Sequence, residues 1–351
     1  MRGIIPGGDG ALTGLVFTFC LLLAGSSVGS DNGFVPQPPD YRKGHYHLYV
    51  ARLLDSDLVI MDSVTKEEIG RIEFGAGANP AHIARSGDYK YLYVSLRGSN
   101  EVAVVDTEKK ELKARIKVGK HPHFIKVLPG GKRLIAVGTE DTRADIIDLD
   151  SNAIVGRPEI SDSSADVAVT ADGRFAYIAT VRTGEISVVD LEKMERVAVI
   201  AIPGEYPNFM SIAMAAGSNL AYVCNVRRDK ILIIDTRTNK VVGEFPTARY
   251  PSYITLAPGG ARAFVTHTFS NYSESVTVVD LHKRAVIKEI KVGQMPMVPV
   301  VSPDGKFLFT ANYGVRDEDG TISVVDMDTL AEVERIRFWR VPQAIAVVPA
   351  R

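Results

Sequence analysis

A repeat constrains the fold of this chain more than any other feature of its sequence. Short apolar triplets recur every 42 to 45 residues, and most are followed by a second apolar run that ends in Asp, such as VAVVD at 102–106. A period of this length indicates repeated supersecondary units rather than two or three ordinary domains. The seven triplets lie at 48–50, 92–94, 134–136, 176–178, 221–223, 263–265 and 308–310.

Each repeat predicts four antiparallel strands. Its short runs are rich in Val, Ile and Tyr, and turn sequences such as SPDGK at 302–306 separate them. A four-stranded sheet with two apolar faces cannot bury both alone, whereas copies stacked around an axis can. We therefore expect an all-β protein, a seven-bladed β-propeller of four-stranded antiparallel blades.

The two ends of the repeat region predict how the ring closes. We name the strands of a blade a to d from the axis outward. The repeat region begins with a strand b at 47–51 and ends with a lone strand a at 342–349. The last strand is expected to complete the first blade, because this hides two sheet edges that would otherwise be exposed. Residues 46–351 are thus predicted to be one propeller domain.

The N-terminal residues resemble a targeting segment. Arg2 precedes an apolar run at 11–24 that is short for a bilayer span, and the small residues GSSVGS follow it. We predict a signal peptide at 1–30 and a Pro- and Gly-rich linker at 31–45, with an uncleaved anchor as the alternative. The protein is then exported, periplasmic or extracellular, monomeric, and without an integral membrane span after cleavage.

Composition and motifs narrow the possible functions. A formal net charge of −1 argues against a generally basic nucleic-acid-binding protein. Cys224 is the one cysteine left after signal cleavage, so neither an internal disulfide nor a covalent c-type haem is expected. No GxSxG elbow or assembled catalytic triad is recognisable, and whether the protein is an enzyme stays open.

Topology sorts the histidines between the two faces of the ring. The start of each strand a and the end of each strand b lie on one face, which we call the top. Four of the seven histidines map to the top face: His82, His121, His123 and His267. The other three, at 45, 47 and 282, map to the opposite, bottom face.

The position two residues after the Pro of each strand a is unusually varied, and arginines surround it. Guanidinium groups beside aromatic rings suit a planar or anionic ligand better than a bare metal ion. The alternative is that the arginines cap carbonyl groups and the histidines are satisfied rim residues. The varied position reads His82, Phe124, Asp166, Phe209, Tyr253, Val298 and Ala344, and the arginines are Arg52, Arg97, Arg182, Arg227, Arg249, Arg316 and Arg340.

A site for a bare metal ion is a less favoured interpretation of the histidines than a site for a planar or anionic ligand. His121 and His123 could present two imidazoles on one strand, and His82 in the adjoining blade could add a third. However, Pro122 distorts this segment, and no carboxylate is an obvious partner for the imidazoles.

The repeat resembles the YVTN-repeat propellers over about residues 46 to 351. Tyr-Val-Cys-Asn at 222–225, Phe-Thr-Ala-Asn at 309–312 and Val-Ser-Pro-Asp-Gly-Lys at 301–306 carry this resemblance. It implies the fold but little about activity, since related propellers include adhesins, cofactor-binding proteins and enzymes.

A narrower resemblance concerns His82. The run 82–86 (HIARS) followed by YLYV at 91–94 is similar to the segment that carries the proximal haem ligand in d1-haem propellers of nitrite reductases and their haem-maturation relatives. This resemblance implies that His82 is an iron ligand, and that arginines meet the tetrapyrrole carboxylates. It also makes His121 or His123, together with His267, candidates for the far side, where family members use histidines to handle an anionic substrate. No electron-donating c-haem domain is present, which weakens nitrite reduction more than haem handling.

Two hypotheses follow from the sequence. The first is an exported, non-catalytic binding propeller that presents a small-ligand or protein-partner site on its top face. The second is a haem-binding redox or haem-maturation protein with His82 as the metal ligand. The residues assigned to the site are His82, His121, His123, His267, Arg97, Arg182, Arg227 and Tyr253.

Overall fold

Seven four-stranded antiparallel sheets form the structure, a computed structural model that describes residues 44–202, 209–268, 273–314, 319–338 and 340–350. The predicted signal peptide and nearly all of the predicted linker lie outside these ranges. The first three blades in chain order contain β1 (Tyr46–Arg52), β2 (Asp57–Asp62) and β3 (Glu68–Glu73); β4 (Pro80–Arg85), β5 (Tyr91–Leu96), β6 (Glu101–Asp106) and β7 (Glu111–Lys117); and β8 (Pro122–Val127), β9 (Arg133–Gly138), β10 (Asp145–Asp148) and β11 (Ala153–Gly156).

The remaining blades follow the same plan, and the described part of the chain adds one short 3-10 turn, Val226–Arg228. Blades four and five contain β12 (Ser164–Val169), β13 (Phe175–Thr180), β14 (Glu185–Asp190) and β15 (Glu195–Ala201); and β16 (Phe209–Met214), β17 (Leu220–Asn225), β18 (Lys230–Asp235) and β19 (Lys240–Pro246). Blades six and seven contain β20 (Tyr253–Leu256), β21 (Arg262–Thr266), β22 (Ser275–Asp280) and β23 (Ala285–Lys291); and β24 (Pro296–Val301), β25 (Phe307–Asn312), β26 (Thr321–Asp326) and β27 (Ala331–Arg337).

The last strand, β28 (Pro342–Pro349), closes the ring. It pairs antiparallel with β1 from Tyr46 opposite Pro349 to Arg52 opposite Pro342, and it becomes the innermost strand of the first blade. All of its residues are buried, and it also contacts the innermost strands β4 and β24 of the two neighbouring blades. The predicted fold, blade count and closure are confirmed.

The Asp that ends each strand c builds the turn into strand d. In all seven blades its Oδ1 accepts a hydrogen bond from a backbone N–H two or three residues later. A residue one or two positions before strand d then adopts a left-handed conformation, with φ between 53° and 64°. This side-chain turn explains the repeated Val-Val-Asp of the sequence, because Asp offers the backbone an acceptor that an apolar residue lacks.

Packing between blades supplies the core. The inner strands bury both faces against the adjacent sheets, while the outermost strands are largely exposed. The tyrosine of the apolar triplet also crosses between blades: Tyr49 Oη donates to Thr107 O at 3.0 Å, and Tyr177 Oη donates to Thr236 O at 3.0 Å. The first blade is therefore held to the second, and the fourth to the fifth, by a hydrogen bond as well as by apolar contact.

Asp62 at the end of β2 predicts a loss of stability in acid. Burial alone raises the pKa of Asp62, but hydrogen bonds from His45 and from the backbone of Thr65 and Val64 outweigh burial and lower it to about 2. The carboxylate thus stabilises the fold above pH 3.8, and this stabilisation is lost as the pH falls from there towards 2. We expect about 1 kcal/mol, since water screens a group near the surface.

Urea unfolding of the wild type and of Asp62→Asn at several pH values between about 6 and 2.5 measures this effect. The variant should lose less stability than the wild type over this range. Equal losses in the two proteins would assign the acid sensitivity to other carboxylates.

Within the described ranges, no helix has both the length and the apolar character that a bilayer span requires.

Candidate functional site

The top end of the central channel is built from bulges in the innermost strands. In β4, β8 and β28 the pairing with strand b shifts by one residue just after the Pro, so that one extra residue is inserted. A bulge of this kind re-aims a side chain and often lies next to a functional site. The inserted residues are Ala81, His123 and Gln343.

His123 and Gln343 carry polar groups with unused hydrogen-bonding capacity at the top ends of β8 and β28. Both side chains are 0% exposed. Both ring nitrogens of His123 and both amide atoms of Gln343 lack a hydrogen-bond partner among the described residues. Each such buried group costs about 1–3 kcal/mol in a folded protein, so four of them in two innermost strands need an explanation.

Arg97 adds positive charge beside His123. It follows β5, it is 4% exposed, and burial lowers the pKa of its guanidinium, an effect that Tyr313 and Glu140 partly oppose. Burial first, and then the charges of Arg97, His121 and His82, hold the pKa of His123 well below 6.5. The His123 imidazole is consequently neutral at pH 7, and a positive guanidinium lies close to it.

The strand order places Gln343 on the same side of the ring as Arg97 and His123. Arg97 belongs to the second blade. Tyr313 belongs to the seventh; burial raises its pKa, and the charge of Arg97 partly opposes this rise. The strand β28 that carries Gln343 lies between these blades and contacts β4, β24 and β25. Residues from the first, second, third and seventh blades therefore surround one side of the channel mouth.

His121 occupies a constrained connection at the edge of this cluster. Its φ is 50°, in the left-handed region, its backbone N–H donates to Asn100 Oδ1 at 2.8 Å, and its Nδ1 is hydrogen bonded to Thr139 Oγ1. Glycine is required at 138, because a Cβ there would collide with the carbonyl oxygen of Lys120. Burial and the charge of Arg97 lower the pKa of His121.

His82 is held between two blades. It is 1% exposed, and its Nδ1 accepts a hydrogen bond from the backbone N–H of Ile125 at 3.3 Å. In a neutral imidazole that accepts through Nδ1, the proton resides on Nε2, which then has no lone pair for a metal ion. This geometry does not fit His82 as the iron ligand of a tetrapyrrole.

His267 and Tyr253 are occupied elsewhere in the fold. His267 Nδ1 donates to Arg249 O at 2.9 Å, and its Nε2 is hydrogen bonded to Thr277 Oγ1 at 2.6 Å. It forms part of the wall of a separate cleft of about 560 Å³ over the sixth blade. Tyr253 is fully buried in the largest apolar cluster. The structure does not bring these two residues together with Arg97 and His123.

The arginines of the top face divide into buried and exposed groups. Arg52 is buried and paired with Asp57, whereas Arg182 is exposed near Asp162 and Arg340 is exposed beside Asp55. Arg227 lies exposed in the 3-10 turn. Arg316 lies outside the described residues. Among the three arginines assigned to the site, Arg97 is the buried one.

The varied position of the innermost strand needs one correction. In the fifth blade the register places Ile212 opposite Val223, as Ile83 lies opposite Val94, so Ser211 and not Phe209 is the equivalent of His82. The pairing of β16 shifts between Phe209 and Ile212. Counting from the Pro could not reveal this shift.

Sequence reasoning missed Gln343 and Tyr313. A signal for Gln343 was available at the position directly after the Pro of strand a, where Gln343 follows Pro342 as His123 follows Pro122. Among the described residues, no group of three or more His, Cys, Asp or Glu is arranged to hold a metal ion.

Solved structures with similar folds share little sequence with this chain. A Kuenenia stuttgartiensis hydrazine synthase chain matches with a TM-score of 0.67 and 17% identity, over 78% of this chain and 96% of that one. The dihydro-heme d1 dehydrogenase NirN matches with a TM-score of 0.63 and 16% identity, over 88% and 76%. A functionally unknown protein from Desulfotomaculum acetoxidans matches with a TM-score of 0.73 and 14% identity, over 88% of this chain and 100% of that one. At these identities the matches establish the fold alone.

Two family models, both of β-propellers, match parts of the chain. No curated protein sequence matches the chain significantly. The model described as a seven-bladed lactonase β-propeller matches residues 59–154. A second model, described as a YNCE-like β-propeller, matches residues 114–304, which is more than half of the chain. The chain belongs to the YNCE-like β-propeller family.

Proposed function

We propose that this protein is an exported, non-catalytic binding protein that takes a small planar or anionic ligand at the top end of its channel. The observation that carries the proposal is the pair of buried side chains, His123 and Gln343, whose polar atoms have no partner among the described residues. A ligand that supplies hydrogen-bond partners to these atoms would offset the cost of burying them. The apolar N-terminal run supports export.

The chemistry of the site defines the ligand class. Neutral His123 and Gln343 can each donate and accept a hydrogen bond, while Arg97 supplies a guanidinium that favours carboxylate or phosphate groups. Tyr313 offers an aromatic ring and a hydroxyl at the same mouth. The positive charge of Arg97 disfavours a bare cation beside His123.

A tetrapyrrole remains one member of this ligand class, but His82 would not bind its iron. Tetrapyrroles are planar and carry carboxylates, which are the two features that Arg97 and its neighbours select. If such a molecule binds, iron-free and iron-loaded forms should bind with similar affinity, since the described contacts involve the rim of the molecule.

Replacement of Arg97 tests the proposal. The probes are benzoate, isophthalate, protoporphyrin IX and hemin, each measured by its effect on urea unfolding and by titration calorimetry. A probe at 100 times its Kd should stabilise the wild type by about 2.7 kcal/mol. Arg97→Gln should weaken that binding by about 10- to 100-fold, because a hydrogen bond to a charged group is lost.

Arg340→Gln is the matched control, because Arg340 is an exposed top-face arginine paired with Asp55 at 3.0 Å. It should bind the probes like the wild type. Failure of every probe to stabilise the wild type, or equal binding by the two variants, contradicts the proposal.

A further inference from the structure

We infer that His82 is a positioning residue, which holds through Nδ1 the bulged segment that carries His123, and that it is not a metal ligand. The role of His123 in ligand contact rests on the proposed function above. The hydrogen bonds that hold the segment do not depend on that proposed function.

Two hydrogen bonds connect the second blade to the bulge of the third, and another, inside the second blade, links His82 to Ser95. The backbone N–H of Ile125 donates to His82 Nδ1 at 3.3 Å, and the backbone N–H of His82 donates to Ser95 Oγ at 3.0 Å. Ser95 Oγ in turn donates to the carbonyl oxygen of His123 at 2.9 Å. The second blade thus forms hydrogen bonds to the backbone on both sides of Phe124. The Phe124 ring packs edge-on against the His123 ring, with the ring centroids 4.3 Å apart.

The innermost strand needs such partners because one of its edges faces the axis. Backbone groups on that edge have no neighbouring strand, and a buried N–H without an acceptor is costly. Side chains from the preceding blade supply the acceptors. The Ile125 N–H is one of these groups, and His82 satisfies it.

Other blades solve the same problem with different residues. Asp166 Oδ2 accepts from the Ile212 N–H at 3.1 Å, and Ser211 Oγ accepts from the Ile254 N–H at 3.3 Å. By register, Asp166 and Ser211 occupy the blade position of His82. The property that these three residues share is an acceptor for the next blade, and metal binding is not required to explain the histidine.

Substitution by Asn separates the two nitrogens of His82. The Oδ1 of Asn stands where Nδ1 of His stands, but Asn has nothing at the place of Nε2. His82→Ala should lower the folding equilibrium constant roughly tenfold, as expected for a lost buried hydrogen bond, whereas His82→Asn should stay within roughly threefold of the wild type. Urea unfolding measures both.

Imidazole NMR provides a readout that does not depend on ligand. With ¹⁵N-labelled histidine, His82 should show the Nε2–H tautomer in the wild type. The His123 resonances should move in His82→Ala and return to wild-type positions in His82→Asn. An Nδ1–H tautomer at His82, or His82→Asn as unstable as His82→Ala, would overturn the inference.

Hemin and protoporphyrin IX connect the inference to the proposed function. If they bind, His82→Asn should keep the wild-type Kd for both and leave the hemin absorption spectrum unchanged. Loss of the hemin spectrum in His82→Asn would reassign His82 as an iron ligand. If no probe binds the wild type while the NMR and stability results hold, the proposed function fails and the positioning role of His82 stands.

Discussion

Deletion of residues 342–351 is expected to abolish cooperative folding. The deletion removes β28, whose Ile345, Val347 and Val348 are almost completely buried, and each buried aliphatic side chain of this size contributes about 1.5–3 kcal/mol. It also removes the hydrogen-bonded partner of β1 and leaves gaps beside β4 and β24. The combined loss is comparable with the whole stability of a typical domain, about 5–15 kcal/mol.

Circular dichroism during urea titration and size-exclusion chromatography would measure this loss. The truncated chain should show no sharp transition and should elute as expanded or aggregated material.

A circular permutant is the matched control for the truncation. It begins at Arg340 and joins Ala350 to Gly44 through a short turn, since the Ala350 N–H already donates to His45 O at 3.1 Å. This variant keeps every blade but supplies the closing strand first, so its urea midpoint should be close to that of the wild type. A sharp transition at the wild-type midpoint in the truncated chain would show that closure contributes little.

Replacement of His123 by Leu together with Gln343 by Met is expected to stabilise the ligand-free protein. Both substitutions exchange a buried polar side chain for an apolar one of similar size, and the polar atoms removed have no hydrogen-bond partner among the described residues. Removing the desolvation cost of these groups should raise the free energy of unfolding by about 2 kcal/mol. The same double variant should lose binding of any probe that the wild type binds, as expected when function costs stability.

Asn312→Leu is the control for this effect, because Asn312 is a buried amide near the same face with its partners present. Its Nδ2 donates to Ser323 Oγ at 2.8 Å and Thr321 Oγ1 at 2.9 Å, and its Oδ1 accepts from Thr310 Oγ1 at 3.0 Å. Asn312→Leu should therefore lower stability by about 1–3 kcal/mol. A double variant that is also less stable than the wild type would show that His123 and Gln343 are satisfied in solution.

The fold could be predicted because each repeat carries the same local signals. The apolar triplet specifies a strand, the Asp at the end of strand c specifies a turn, and the unmatched last strand specifies closure. These signals depend on neighbouring residues and on the count of repeats, which a sequence displays directly. The signal peptide and the linker stay predictions.

The site was harder to predict because it depends on register and on the direction of side chains. His123 was identified, but its neighbour in the site, Gln343, depends on a bulge that the sequence does not mark. His82 was interpreted through a resemblance, whereas its hydrogen bond to Ile125 comes from a different blade. Likewise, the burial of Arg97 and the exposure of Arg182 cannot be read from their similar positions after strand b.

The pairing of β1 with β28 has a consequence for how this ring could be anchored. The chain enters the ring at the start of β1 and leaves it at the end of β28, and both points lie on the bottom face, where the Ala350 N–H meets His45 O. An anchor, a fused domain or an affinity tag joined at either point would be attached on the side away from the channel mouth. Immobilisation through either end should therefore leave the top face, beneath which Arg97 and His123 are buried, unobstructed.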